Sequence, residues 1–198
     1  MRKKEPTIEE VKAFYDDQHN QHQSKWLRKA NPRLTALAAF AQSQIIKTKP
    51  ESLLDVGCGV GILTKQLAEL VQYIVAIDLS DANIKTAKAH NSDDRITYIP
   101  GDFSRMYLNN KFDIVCLFDV VEHIRPSDRK IFLMNVKKHC NKLVLVSIPD
   151  PVVLKKYKKT RPQDLQIVDE PVYDKVFDMF TLQHRISAGK YIYYILSP

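Results

Sequence analysis

Three of the five glycines in this 198-residue chain fall at alternate positions in Asp55-Val-Gly57-Cys-Gly59-Val-Gly61. The segment before them, Leu53–Val56, is apolar at strand length, and Ile62–Val71 behind them has Leu63, Leu67 and Leu70 at helical spacing. A glycine-rich turn between a strand and a helix does two things. It lets the backbone bend where a side chain would clash, and it lets a ligand approach main chain closely. A chain built around such a turn must place the strand in the interior of an α/β sheet.

The rest of the pattern agrees. Strand-length apolar runs recur at Tyr73–Ile77, Ile96–Ile99, Ile114–Phe118 and Leu143–Ile148, and all five are expected to be buried on both faces. Helical patterns separate them. Asp81–Ala89 follows the N-cap residue Ser80 and spaces Ile84, Ala87 and Lys88 helically, while Ser127–His139 offers Ile131, Leu133, Met134 and Val136 as its apolar members. Strand alternating with helix predicts right-handed crossovers and a parallel sheet. Ahead of the first strand, Asn31-Pro32 reads as an N-cap with proline at the first helical position, opening a helix over 33–47 with Leu34, Leu37, Ala38, Ala41 and Ile45 on one face. An earlier amphipathic helix covers 8–19, with Ile8, Val11, Phe14 and Tyr15. Behind the fifth strand, residues 150–166, with prolines 151 and 162 among lysines, read as a long loop. A short helix from Glu170-Pro171 to about Phe180 follows, with Val172, Val176 and Phe180 in register. A hairpin then ends the chain, with strands 181–186 and 191–196 and Gly189 in its turn.

Carboxylates stand at the ends of these strands. Asp78 ends the second strand, where it can accept hydrogen bonds from both hydroxyls of a ribose. Asp102 follows the third strand, where it can accept from an exocyclic amine of adenine, with Phe103 against the ring. Phe118-Asp119 ends the fourth. Open α/β sheets bind their ligands at these carboxyl ends. The plainer reading of each aspartate is a helix cap or a turn residue.

Taken together, the segments LLDVGCGVG (53–61), VAIDLS (75–80), ITYIPGDF (96–103), FDIVCLFDVVEHI (112–124) and KLVLVSIPD (142–150) resemble class I S-adenosylmethionine-dependent methyltransferases in order and spacing. The resemblance implies a Rossmann-like, doubly wound, mostly parallel α/β sheet of seven strands in the order 3-2-1-4-5-7-6. It also implies a single domain over 1–198, with a helical lid over 1–48, a cofactor core over 49–150, and a lid loop, short helix and antiparallel hairpin over 151–198. S-adenosyl-L-methionine would be the cofactor and S-adenosyl-L-homocysteine the product. Gly57, Gly59 and Gly61, with Cys58 between them, would cradle the methionine part, and Asp55 would orient that loop and the amino group. Asp78, with Leu79, would hold the ribose, and Asp102 and Phe103 the adenine. Main chain near Phe118 and Asp119 would accept from the ammonium group. The competing use of such a loop, a nicotinamide dinucleotide site, requires GxGxxG, and here position 62 is isoleucine.

For the acceptor side, His123 in Asp119-Val-Val-Glu122-His123 is the candidate base, and a structural histidine in the following turn is the alternative. Tyr15, His19, His22 and Trp26 are spaced 4, 3 and 4, so a continuous helix would put them on one face as a lid over the acceptor. His19 and His22 lack the carboxylates or cysteines that would complete a metal site, so no metal is expected. Lys155, with Lys156, Lys158, Lys159 and Arg161, makes the 150–166 segment basic enough to hold an acidic acceptor, or simply well solvated.

The net charge of +7 lies in the flanks, with +5 over 1–50, +3 over 151–198 and −1 between. The leading function is methyl transfer to oxygen or nitrogen of a small molecule, with an RNA or protein methyltransferase as alternative and a non-enzymatic cofactor-binding regulator third. The Asn/Asp-Pro-Pro-aromatic motif of nucleobase methylation is absent after the fourth strand. Cys58, Cys116 and Cys140 show no metal spacing and read as reduced thiols. No secretory signal and no membrane span are expected, so the predicted location is cytoplasmic, as a monomer or homodimer.

Overall fold

The computed structural model describes residues 5–19, 31–160 and 173–198. The strands hydrogen-bond in the order β3-β2-β1-β4-β5-β7-β6, as expected. The chain forms two compact units, Met1–Phe103 and Ser104–Pro198.

The first unit contains helix α1 (Ile8–Phe14), a π turn (Tyr15–His19), α2 (Pro32–Thr48), β1 (Ser52–Val56), α3 (Ile62–Leu67), β2 (Tyr73–Asp78), α4 (Asp81–His90) and β3 (Ile96–Pro100). The caps explain the boundaries. Thr7 and Glu10 form a reciprocal capping box on α1, and Asn31 accepts from the Arg33 amide to open α2 at Pro32. α2 stops at Lys49, whose φ of 44° no helix can continue. Leu37, Ala38, Ala41 and Ile45 of α2 are buried, as their spacing predicts. β1 is buried at all five positions and pairs in parallel with β2, as β2 does with β3. The expectation of burial on both faces fails for β3, where only Tyr98 is buried, because an outer strand has one face less covered. Leu70 also departs from its expected stripe. α3 tightens into a 3-10 turn over Ala68–Leu70, which changes the angular step and leaves Leu70 exposed.

The second unit contains β4 (Phe112–Phe118), α5 (Arg129–His139), β5 (Cys140–Pro149), α6 (Pro151–Thr160), α7 (Tyr173–Val176), β6 (Thr181–Ala188) and β7 (Tyr191–Ser197). β4 and β5 pair in parallel; β7 runs antiparallel to both β5 and β6. On α5 the buried residues are Phe132, Leu133, Val136 and His139, so the expected inward Ile131 and Met134 instead face out at 50% and 55% exposure. The inner face is set by Phe132, the largest apolar side chain of the helix.

The expected loop over 150–166 is corrected by α6. Asp150 accepts a hydrogen bond from the Val152 amide and Pro151 takes the first helical position, the same signature that opens α2. Residues 161–166, like 170–172 of the expected short helix, lie outside the described residues. Phe177 and Phe180 are the buried members at the helix end, whereas Val176 is half-buried. The hairpin turn is shorter than expected, with Gly189 at φ 61° and Lys190 alone between the strands. β7 is nearly all buried and β6 wholly exposed.

Candidate active site

In the first unit the glycine loop closes on itself and on the end of β2. Gly57, Gly59 and Gly61 all have left-handed backbone, with φ of 78°, 56° and 77°. The amides of Gly57 and Cys58 both donate to the Ile77 carbonyl, at 2.7 and 3.1 Å. The Gly59 amide donates to Asp78 Oδ2 at 2.8 Å and the Gly61 amide to the Cys58 carbonyl at 3.0 Å. Gly57 is exposed, whereas Gly59 and Gly61 are buried. Every one of these four amides is therefore used within the protein, and none is aimed outward as a pyrophosphate would require. Acceptors remain, which suits a cationic ligand.

Asp78 is the hub of this arrangement. Besides the Gly59 amide, its carboxylate accepts from the Ser80 amide at 2.9 Å and from Asn83 Nδ2 at 3.2 Å. Two carboxylate oxygens offer about four acceptor positions, so three internal donors fix the group and leave room for a ribose hydroxyl. Burial pushes its carboxyl above the usual range, and the donors work against that. Leu79, next in line, is half-buried. Asp55 is 4% exposed and accepts from Thr64 Oγ1 at 2.6 Å. Its carboxyl is pushed up to about 6, first by burial and further by the charge of Asp78, against the Thr64 bond. The structure thus ties Asp55 to α3 directly. Burial likewise raises the Cys58 thiol, which makes it a poor nucleophile. Asp102 is half-buried at the end of β3, whereas Phe103 is 4% exposed, its ring packed rather than open.

The N-terminal helix joins this end of β2 through residues with no sequence signal. Lys12 Nζ bonds Asp16 at 2.9 Å and Asp81 at 2.7 Å. Asp16 Oδ1 accepts from Ser80 Oγ at 2.6 Å and from the Ala82 amide at 3.3 Å. Burial would raise the Asp16 carboxyl, but Ser80, Lys12 and the Ala82 amide outweigh it and hold it below the ordinary value. The expected single face of Tyr15, His19, His22 and Trp26 is corrected at its first step. α1 ends at Phe14, and the π turn from Tyr15 to His19 breaks the 3.6-residue register. Tyr15 is half-buried, edge-on to Phe14 with ring centroids 5.3 Å apart. The His19 side chain, His22 and Trp26 lie outside the described residues.

The second unit holds the other predicted groups. Phe118 is buried at the end of β4. Asp119 adopts φ 55°, a left-handed conformation that costs a non-glycine residue about 1 kcal/mol or more. The fully buried Ser147 holds it there: the Asp119 amide donates to the Ser147 carbonyl at 2.8 Å, and Ser147 Oγ donates to Asp119 Oδ1 at 3.0 Å. His123 closes a 3-10 turn over Val121–His123, with its side chain 21% exposed. Its Nε2 stands 3.9 Å from Oε1 of the wholly buried Glu122, too far for a hydrogen bond. Lys155 and Lys156 are exposed on α6. Among the described residues, no three His, Cys, Asp or Glu side chains gather where a metal ion could be held.

The family described as a methyltransferase domain matches residues 54–144. The match lies within that segment, and the sheet around it has the methyltransferase fold. Over 144 residues it is 33% identical to the mitochondrial ubiquinone biosynthesis O-methyltransferase of Schizosaccharomyces pombe, covering 69% of this chain and 52% of that one. Over 98 residues it is 37% identical to the ubiquinone biosynthesis O-methyltransferase of a Caulobacter species, covering 46% of this chain and 39% of the relative. It therefore spans about half the length, or less, of these relatives. Among solved structures, magnesium protoporphyrin IX methyltransferase from Synechocystis, with bound S-adenosylhomocysteine, superposes with a TM-score of 0.68 at 19% identity, over 96% of this chain and 97% of that one. A DhpI complex reaches 0.73 at 16% identity, over 96% and 97%. At these identities the structural likeness establishes the fold. This methyltransferase fold also accounts for the antiparallel pair at the end of the sheet.

Proposed function

We propose that the protein transfers a methyl group from S-adenosylmethionine to a hydroxyl oxygen of a small molecule, with S-adenosylhomocysteine as product, and that residues 1–198 act as one methyltransferase domain. The observation that carries the reading is the glycine loop with its amides turned inward onto Ile77, Asp78 and Cys58. What the loop and strand ends offer a ligand is carbonyls and carboxylates. That set matches a sulfonium, an ammonium and a ribose diol, and mismatches a pyrophosphate. Oxygen is preferred to nitrogen as acceptor because the relatives quoted above are O-methyltransferases.

The bound cofactor supplies an electrophilic methyl group on a positively charged sulfur. Gly57 and Gly59 would admit the methionine end to main chain, Asp78 would accept from a ribose hydroxyl, Asp102 would meet the adenine amine, and main chain at Phe118 and Asp119 would accept from the ammonium. His123 would take the proton from the acceptor hydroxyl, leaving its oxygen free to receive the methyl group that the cofactor would supply. The ring then forms an ion pair with Glu122. Lys155 and Lys156, exposed on α6, support an acceptor that carries negative charge. The three cysteines, none of them in a disulfide, fit a reducing compartment such as the cytoplasm.

Calorimetric titration with S-adenosylhomocysteine beside NADH tests the cofactor, and labelled methyl transfer to phenolic and carboxylated phenolic acceptors tests the reaction. Binding of NADH alone would overturn the proposal. Charge reversal at Lys155, Lys156 and Lys158 should raise KM for a carboxylated acceptor and leave that for a neutral one; an equal effect on both would remove the acidic acceptor.

A further inference from the structure

The third glycine of the loop does not face a ligand. A β-carbon built on Gly61 would lie 2.5 Å from the Tyr98 hydroxyl oxygen, 2.9 Å from Cζ and 3.0 Å from Cε1. Tyr98 is the one buried residue of β3, 5% exposed. Its hydroxyl donates to the Asn91 carbonyl at 2.9 Å, with the Gly61 carbonyl at 3.4 Å. Asn91, the residue that ends α4, turns back to the same loop: its Nδ2 donates to the Val60 carbonyl at 2.7 Å. Two consecutive loop carbonyls thus meet this pair: the Asn91 side-chain amide donates to the Val60 carbonyl, and the Tyr98 hydroxyl, bonded to the Asn91 main-chain carbonyl, lies 3.4 Å from the Gly61 carbonyl. Burial raises the Tyr98 hydroxyl well above its ordinary value, so it remains a proton donor at every working pH.

We propose that Tyr98 and Asn91 are positioning residues for the cofactor loop, and that Gly61 lacks a side chain because the Tyr98 hydroxyl stands where its β-carbon would be. The inference rests on the cofactor reading above and adds to it a division of labour among the glycines. Gly57, exposed, serves the ligand. Gly61, buried, serves the tyrosine beneath it. The clamp holds the loop carbonyls in place before the ligand arrives, so ordering them is not charged against binding.

The test is calorimetric titration of the full chain with S-adenosylhomocysteine, each variant being checked for folding by far-UV circular dichroism and thermal melting. The variants are Tyr98→Phe, Asn91→Ala, Gly61→Ala, Tyr98→Leu and the double variant Gly61→Ala/Tyr98→Leu. Well below their melting temperatures, Tyr98→Phe and Asn91→Ala should each weaken binding about three- to tenfold, as loss of one buried hydrogen bond does. Amide hydrogen exchange over residues 57–61, measured without ligand, should speed up in both. The loss caused by Gly61→Ala should be at least about fivefold smaller in the Tyr98→Leu background than in the wild type. Lower melting temperatures with unchanged affinity and unchanged exchange would make the pair merely structural and overturn the proposal. An equal Gly61→Ala loss in both backgrounds would show that the left-handed φ alone demands glycine. If Tyr98→Leu does not fold, Tyr98→Phe with hydrogen exchange decides. Wild type that binds no S-adenosylhomocysteine would defeat the cofactor reading itself, a result distinct from any of these.

Discussion

The two ends of this protein's chemistry are held in different ways. In the first unit three polar side chains of the strands, Asp55, Asp78 and Tyr98, are tied by short bonds to named partners. Asp55 meets Thr64, Asp78 meets Gly59, Ser80 and Asn83, and Tyr98 meets Asn91. In the second unit Asp119 is tied to Ser147 and Asp150 to the Val152 amide, whereas His123 and Glu122 stand 3.9 Å apart and Lys155 and Lys156 of α6 are exposed. The proposed function gives a physical reason for the difference. A cofactor of fixed shape rewards a rigid, preformed site, because no ordering cost is charged against binding. An acceptor is selected by side chains on turns and surface helices, which can change without disturbing the sheet.

The largest test of that contrast is Asp78→Ala. Three donors would lose their acceptor, so affinity for S-adenosylhomocysteine should fall about 100-fold or more. A loss under about threefold would mean that the first unit is not the preorganised half.

Asp55→Asn comes next, read as stability against pH. Burial places the folded carboxyl at about 6, whereas the unfolded one keeps its ordinary value of 3.8. Between those values the folded state binds more protons, so stability falls as pH rises from about 4 to about 6, and the cost is fully present at pH 7. That difference corresponds to up to about 3 kcal/mol. Asn cannot ionise and keeps an acceptor for Thr64. The variant should therefore melt higher than wild type at pH 7, lose that advantage near pH 4, and bind S-adenosylhomocysteine more weakly. Equal melting curves at both pH values would remove the buried charge from the argument.

Ser147→Ala should cost about 1–2 kcal/mol, the worth of one buried hydrogen bond, and relax the left-handed Asp119. Denaturant unfolding measures the cost. If Ser147→Ala also weakens S-adenosylhomocysteine as much as Asp78→Ala does, the asymmetry between the units disappears. The smallest effect belongs to Lys155→Glu with Lys156→Glu, both residues being exposed. Stability should move by less than about 0.5 kcal/mol and cofactor affinity should not change, so any effect appears only in acceptor KM.

Some of this was legible in advance and some was not. The strand, glycine loop and helix over 52–67 are contiguous, and each element is dictated by residues inside it. Asp78 and Ser80 are similarly local: an aspartate ending an apolar run, then a helix cap. Asp150-Pro151 also encodes a helix start, but the lysine-rich stretch behind it has the composition of a solvated loop as much as of a helix. The inner face of α5 was misassigned because Ile131, Phe132, Leu133 and Met134 are apolar in succession, which leaves the phase of a helix undetermined until it meets its neighbours.

The sequence by itself determined the order of the elements, the strand ends that carry carboxylates and the turn that carries glycines, because those are set by spacing over a few residues. Only the tertiary structure decided that Asp16 reaches Ser80 across 64 residues, that Lys12 reaches Asp81 across 69, and that Tyr98 stands beneath Gly61 across 37. A lysine, an aspartate and a tyrosine have many equivalent uses along a chain. Which one is realised depends on the packing that brings distant segments within hydrogen-bond distance, and nothing in local spacing encodes that.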